Sequence, residues 1–149
     1  MSWHNRVLIV NLTEGTTRTE PLNKQWRDDY LGSRGLATKY LMEMMDPAAD
    51  AMSPENVLIF ATGPLTGTMA STGGRYAVVT KGPLTNAIAC SNSGGKFGAE
   101  LKLAGYDLLI LQGRAESPVY LLIQDDKVSI EPATEYWGTT VWHLSLIHI

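Results

Sequence analysis

The 149-residue chain holds a single cysteine, Cys90. One thiol cannot close an internal disulfide, and its isolation suits a reducing compartment. Nor can it supply the four thiolates that a cubane iron–sulfur cluster takes. Basic residues are few: 12 Lys and Arg against 15 Asp and Glu give a net charge of -3. They are scattered, which excludes the basic footprint of a nucleic-acid binder. No apolar run approaches the roughly 20 residues that span a bilayer. The opening Met1-Ser2-Trp3-His4-Asn5 has no charged lead or long apolar core, so no secretion signal is read and a cytoplasmic location is expected. Linkers rich in Pro, Gly or Ser and low-complexity tracts are missing too. What remains is 44% apolar and 18% charged, the balance of one globular domain.

The stretch from Gly63 to Gly105 is the distinctive part. Strand-like pieces alternate there with loops of glycine and small hydroxyl residues, which let backbone N–H groups approach a ligand closely. Gly94-Gly95 runs into a helical pattern over 96–104, with Gly105 where a C-terminal cap belongs. A glycine loop opening a helix suits an anion such as phosphate. The segment also echoes itself. Gly63-Pro64-Leu65-Thr66 recurs as Gly82-Pro83-Leu84-Thr85. Each copy leads to a Gly-Gly pair followed by a base and an aromatic, Arg75-Tyr76 and Lys96-Phe97. Two such loops suit one ligand approached from two sides; two ordinary Gly-Pro turns are the plainer reading.

Taken in order, the chain opens with a hairpin, Arg6 to Leu12 and Thr17 to Glu20, expected at an edge of the sheet. Asn23 caps a helix from Lys24 with Trp26, Tyr30 and Leu31 on one face. Gly32-Ser33-Arg34-Gly35 interrupts it, and a second helix runs from Leu36 to Met45, stopped by Asp46-Pro47. Val57 to Ala61 is a buried strand. Strands Ala77 to Thr80, Ala87 to Cys90 and Leu108 to Gln112 follow, and a second hairpin spans Val119 to Gln124 and Val128 to Glu131. Strands outnumber helices, and hairpins mix with a few short helices. The expected fold class is α+β with mixed or antiparallel sheets, not a doubly wound nucleotide fold.

Several blocks stand in an order that resembles the N-terminal domain of the aldehyde ferredoxin oxidoreductase family, tungsten enzymes with a bis-pterin cofactor. They are Leu31-Gly32-Ser33-Arg34-Gly35-Leu36-Ala37, Ser53-Pro54-Glu55-Asn56, Ala61-Thr62-Gly63-Pro64-Leu65-Thr66-Gly67, Thr72-Gly73-Gly74-Arg75-Tyr76, Asn92-Ser93-Gly94-Gly95, Phe97-Gly98-Ala99-Glu100-Leu101-Lys102, Ala104-Gly105-Tyr106-Asp107 and Tyr136-Trp137-Gly138. The resemblance implies the pterin-binding N-terminal domain of that family, cut before its end: residues 1–142 form a partial domain. It implies that Arg75 lies between the pterin and an iron–sulfur cluster and bonds to both. It implies that the Asn92 backbone carbonyl holds a magnesium ion bridging the pterin phosphates, and that Gly94 lets the backbone approach the pterin. A hard cation with oxygen ligands fits that second role. Against this stands a tight-turn cluster with a surface arginine.

The implied activity belongs to a full-length chain. It oxidises aldehydes to carboxylic acids and passes electrons through tungstopterin and a 4Fe-4S cluster to ferredoxin, in anaerobic metabolism. Molybdenum in place of tungsten and a homodimer of the full-length protein stay open. The cluster ligands lie outside this chain, and no catalytic residue is assigned within it, so the fragment alone is expected to be inactive. The alternative is a non-catalytic pterin-binding or scaffold module, or the product of a truncated gene. Residues 143–149 read as a doubtful tail, from a frameshift or a sequencing adapter, so His143 and His148 receive no metal role. Cys90 is expected to be a small buried hydrophobe at a strand end. The methionines between residues 42 and 69 are expected to fill gaps in a core. Glu100 and Asp107 do not read as an acid and base pair, Glu100 belonging to an exposed helix face. Asp125, Asp126 and Glu131 read as turn and surface carboxylates.

Overall fold

A computed structural model describes residues 2–146. Strands β1 (Arg6–Asn11) and β2 (Thr16–Pro21) form the expected antiparallel hairpin, with β2 at one edge of the sheet. Helix α1 (Lys24–Tyr30) starts as expected, the Asn23 side chain accepting the Trp26 N–H at 3.0 Å. Its inward contact is Trp26, which meets the Tyr40 ring edge-on at 5.0 Å. Tyr30 and Leu31, expected on the same inward face, are exposed. Leu31 takes a left-handed conformation (φ 60°) to end the helix, and this turns it outward.

Helix α2 (Ser33–Met44) begins earlier than the glycines suggested. Gly35 lies inside it because a Cβ there would stand 2.8 Å from the Tyr30 carbonyl. The glycine therefore serves the close junction of the two helices rather than a break. Of the residues whose spacing turns them to the core, Leu36, Tyr40, Leu41 and Met45 are buried and Met44 is only partly so, while Met42, Met52 and Met69 point to solvent. Those methionines do not gather.

The rest of the chain gives β3 (Val57–Thr62), β4 (Tyr76–Lys81), β5 (Ile88–Ser93), α3 (Phe97–Leu103), β6 (Leu108–Gln112), β7 (Val119–Gln124), β8 (Lys127–Pro132) and α4 (Val141–Leu146). Six strands make one mixed sheet in the order β2-β1-β6-β3-β4-β5. Within it β1 and β6 are parallel and the other neighbours antiparallel; β7 and β8 stand apart as a hairpin. The α+β class is therefore what the chain adopts.

The sheet is covered on both faces, so its central strands carry apolar residues at successive positions. Val7, Ile9, Ile59, Val79 and Ile110 face α1 and α2. Leu8, Val10 and Leu109 face the other way, towards Leu101, Tyr106 and the partly buried inner side of the β7–β8 hairpin. Truncating the fully buried Ile59 to Ala would cost about 2–5 kcal/mol through lost burial and the cavity left behind. The two edge strands are the exceptions, all six residues of β2 being exposed and β5 behaving alike. Strand β5 extends three residues beyond the expected Cys90 and all six of its residues are exposed, because it is the other edge of the sheet.

The sheet end near Lys81 is closed by polar ties. The Asn56 amide donates to the Ala51 and Lys81 carbonyls at 2.7 and 3.1 Å, and the Lys81 ammonium reaches the Pro47 and Ala49 carbonyls at 2.8 and 2.6 Å. The Gly73-Gly74 and Gly94-Gly95 loops lie at the opposite end. Among the described residues, no helix is long and apolar enough to cross a membrane.

Candidate functional site

Strand β3 delivers the chain to Thr62, whose N–H and hydroxyl both bond the Asp107 carbonyl, at 3.0 and 2.9 Å. The loop that follows returns at Arg75 into β4. One side chain joins its ends: the Thr66 hydroxyl accepts the Gly63 N–H at 3.0 Å and donates to the Arg75 carbonyl at 2.9 Å. Gly67 (φ 72°) bonds Gly73 across the loop at 3.3 Å. A side chain at Gly67 would be strained by that φ and would press on the Lys102 stem, 3.2 Å away.

The two halves of the internal echo part company. Antiparallel pairing puts the Gly63-Pro64 and Gly82-Pro83 turns at opposite ends of β4, so those copies share no ligand. The Gly-Gly copies do meet. A Cβ at Gly74 would lie 2.9 Å from the Gly95 carbonyl, and Gly98 packs against Tyr76. The aromatics after them, Tyr76 and Phe97, lie 4.9 Å apart between ring centroids, with Phe60 beside both.

Register brings the three expected site residues to this end. Tyr76 opposes Ser93, so Arg75 and Gly94 are the next residues outward on adjacent strands. Arg75 is exposed and its guanidinium has no hydrogen bond or ion pair among the described residues; the same holds for Lys96. Gly94 is open, with nothing within 4 Å of where a Cβ would sit.

Asn92 lies within β5, opposite Ala77, rather than in the loop where the sequence placed it. Gly82 donates to the Ala87 carbonyl at 2.8 Å, and this sets the phase of the β4–β5 ladder. Counted along the register, Tyr76 and Ser93 form a hydrogen-bonded pair and Ala77 and Asn92 a non-hydrogen-bonded one. The Asn92 carbonyl therefore points away from β4, along the free edge of the sheet.

The sequence reading passed over the foundation beneath the loop. Lys102 and Asp107 are both buried, and the ammonium lies 2.5 Å from the carboxylate. That carboxylate also accepts the His4 and Arg6 N–H groups, each at 3.2 Å, and the ammonium sits 4.4 Å from the centre of the Trp3 ring. Burial pushes the lysine below its usual value, against the pull of Asp107. Glu100 is exposed, as its helix face suggests, and is not part of this unit. The signal was an acid and a base on either side of Gly105, which local reading takes for a helix end.

Cys90 is exposed on the edge strand, not buried. Asp126 forms a surface ion pair with Arg6 at 2.7 Å. Among the described residues no three of His, Cys, Asp and Glu cluster as metal ligands would. His148 lies outside the described residues. A groove of about 400 Å³ runs between α3 and β7, lined by Leu101, Leu103, Leu121 and Ile123 but by none of Arg75, Asn92 or Gly94.

Chemically, this end offers approachable backbone, unpaired cations and an outward carbonyl. Such a set suits a large anionic ligand approached by the main chain and the two cations. Comparison with known proteins places the chain in a family. The family described as aldehyde ferredoxin oxidoreductase, N-terminal domain, matches residues 7–147. The tungsten-containing aldehyde ferredoxin oxidoreductase of Pyrococcus abyssi is 55% identical over 136 residues, 91% of this chain and 22% of that protein. That of Pyrococcus horikoshii is 54% identical over the same shares. The solved active site complex BamBC of benzoyl coenzyme A reductase, in complex with 1,5-dienoyl-CoA, superposes with a TM-score of 0.95 at 37% identity, over 99% of this chain and 22% of that one. The chain thus spans about a fifth of the length of the relatives it matches.

Proposed function

The chain belongs to the aldehyde ferredoxin oxidoreductase family through its N-terminal domain, and from that premise we propose that it forms the platform under a tungsten–pterin cofactor. The observation that carries this reading is the seating of Gly74 against Gly95, with Arg75 and Gly94 at the same sheet end. The full-length protein then oxidises aldehydes to carboxylic acids and delivers the electrons to ferredoxin through an iron–sulfur cluster. When bound, the tungsten–pterin group supplies the oxygen-atom and two-electron chemistry, and the protein positions and tunes it.

The tasks of this chain's residues follow. Arg75 presents a fixed fork of donors to an anionic or planar partner. Asn92 offers its outward backbone carbonyl to a magnesium ion, a role its side chain does not enter. Gly94 lets the main chain come within contact distance of the ligand, since no Cβ intervenes. The dithiolene sulfurs of a pterin hold a soft metal, so no thiolate is asked of Cys90. Proton transfer and cluster ligation are assigned to parts outside this chain. That a benzoyl coenzyme A reductase complex shares the domain fits a platform that does not itself select the substrate.

The test is made in the full-length protein that carries this domain, expressed anaerobically with tungstate. Replacing Arg75 with Ala should lower bound pterin and tungsten per chain, or slow aldehyde-dependent reduction of ferredoxin. Unchanged metal content together with unchanged activity would sink the assignment.

A further inference from the structure

The Arg75 guanidinium has no partner among the described residues and lies in solvent, so nothing at its own tip fixes its direction. Its aim is set by its backbone. On the far side the Tyr76–Ser93 pair holds that backbone, and on the near side Gly74 rests against Gly95. Among the described residues the Arg75 carbonyl is held by one group, the Thr66 hydroxyl at 2.9 Å. That hydroxyl is used in both directions, since it also accepts the Gly63 N–H at 3.0 Å. Thr66 is 4% exposed, so water cannot readily take over either bond.

Thr66 is itself seated on a rigid base. Its neighbour Gly67 lies over the Lys102 stem, and Lys102 is locked by the buried Asp107 carboxylate. A continuous line of contacts therefore runs from Asp107 through Lys102 and Gly67 to Thr66, and from Thr66 to Arg75. We infer that Thr66 is a positioning residue for the cofactor platform: it fixes the direction from which Arg75 meets its anionic ligand. The inference rests on the cofactor reading of Arg75 given above. Prepositioning of this kind raises affinity because the ordering is completed before the ligand arrives.

The experiment is a double-mutant cycle in the full-length holoenzyme, with retention of pterin as its readout. The enzyme is diluted into buffer of rising salt, and released pterin is followed by its fluorescence. The variants are Thr66→Val, Thr66→Ser, Arg75→Ala and Thr66→Val with Arg75→Ala. Thr66→Ala runs in parallel, in case the valine variant is not recovered folded. Loss of the hydroxyl should speed release about tenfold, the scale of one buried hydrogen bond. Thr66→Ser, which keeps both bonds, should restore retention. In the Arg75→Ala background the loss of the Thr66 hydroxyl should add nothing, because its effect passes through Arg75. A general loosening of the loop would instead add in full to the Arg75→Ala effect, and additivity overturns the assignment of Thr66 alone. If Arg75→Ala itself leaves release unchanged, the cofactor reading of Arg75 falls, and this inference with it.

Discussion

Lys102 and Asp107 form a buried ion pair, Nζ to Oδ1 2.5 Å, across the turn that joins α3 to β6. Each supplies the countercharge of the other. Removing the lysine alone, as Lys102→Met, leaves a buried carboxylate with two backbone donors and no countercharge. The expected cost is about 3–5 kcal/mol. The double replacement Lys102→Met with Asp107→Asn should recover much of it. Urea unfolding of the three chains measures both; a double variant no more stable than the single one would contradict the pairing.

The same pair gives a direction with pH. Burial holds the folded lysine below its ordinary 10.5. Below the folded value both states carry the proton, and above 10.5 neither does. Between the two, the unfolded chain binds more protons, so this group makes stability rise with pH through that window. Relative to the Lys102→Met, Asp107→Asn chain, the wild type should gain stability as pH climbs towards 10.5. A relative loss over that range would reverse the sign assigned to burial.

Glycines at the platform separate structural need from ligand need. Gly74→Ala sets a Cβ 2.9 Å from the rigid Gly95 carbonyl and should destabilise the chain by about 1–3 kcal/mol while prying the loops apart. Gly94→Ala meets nothing within 4 Å and should change stability by less than about 0.5 kcal/mol. In the full-length protein the same alanine should still weaken pterin retention, because it intrudes on the approach of the ligand. Retention equal to that of the wild type would remove Gly94 from the site.

Cys90 lies on the exposed edge strand and has no partner thiol in the chain. A thiol reagent such as a disulfide dye should titrate it in the folded chain without denaturant. A thiol that reacts only after unfolding would restore the buried reading.

Much of the order along the chain was legible. Apolar runs gave β3 and β6, and the turn residues at Thr13-Glu14-Gly15 and Asp125-Asp126 gave both hairpins. The Asn23 cap is a local interaction between neighbours in sequence, so the residues alone sufficed. Cys90 misled because strand ends are often buried in the middle of a sheet, and only the strand order makes β5 an edge. Gly35 misled because a glycine inside a helix looks like a break until another helix is seen against it. Thr66 was read as part of a turn signature; its second bond, to the Arg75 carbonyl, lies nine positions away.

By itself the sequence determined the α+β class, the membership in the family and which residues are free of Cβ or carry a cation, since all of these are properties of local pattern and residue type. Only the tertiary structure decided that Gly74 meets Gly95, that the Gly-Pro turns stand apart, that the Asn92 carbonyl faces a free edge and that Asp107 is buried with Lys102. Those outcomes depend on strand register and on what covers each face. Both are set by contacts between residues far apart in the chain, which no local pattern encodes.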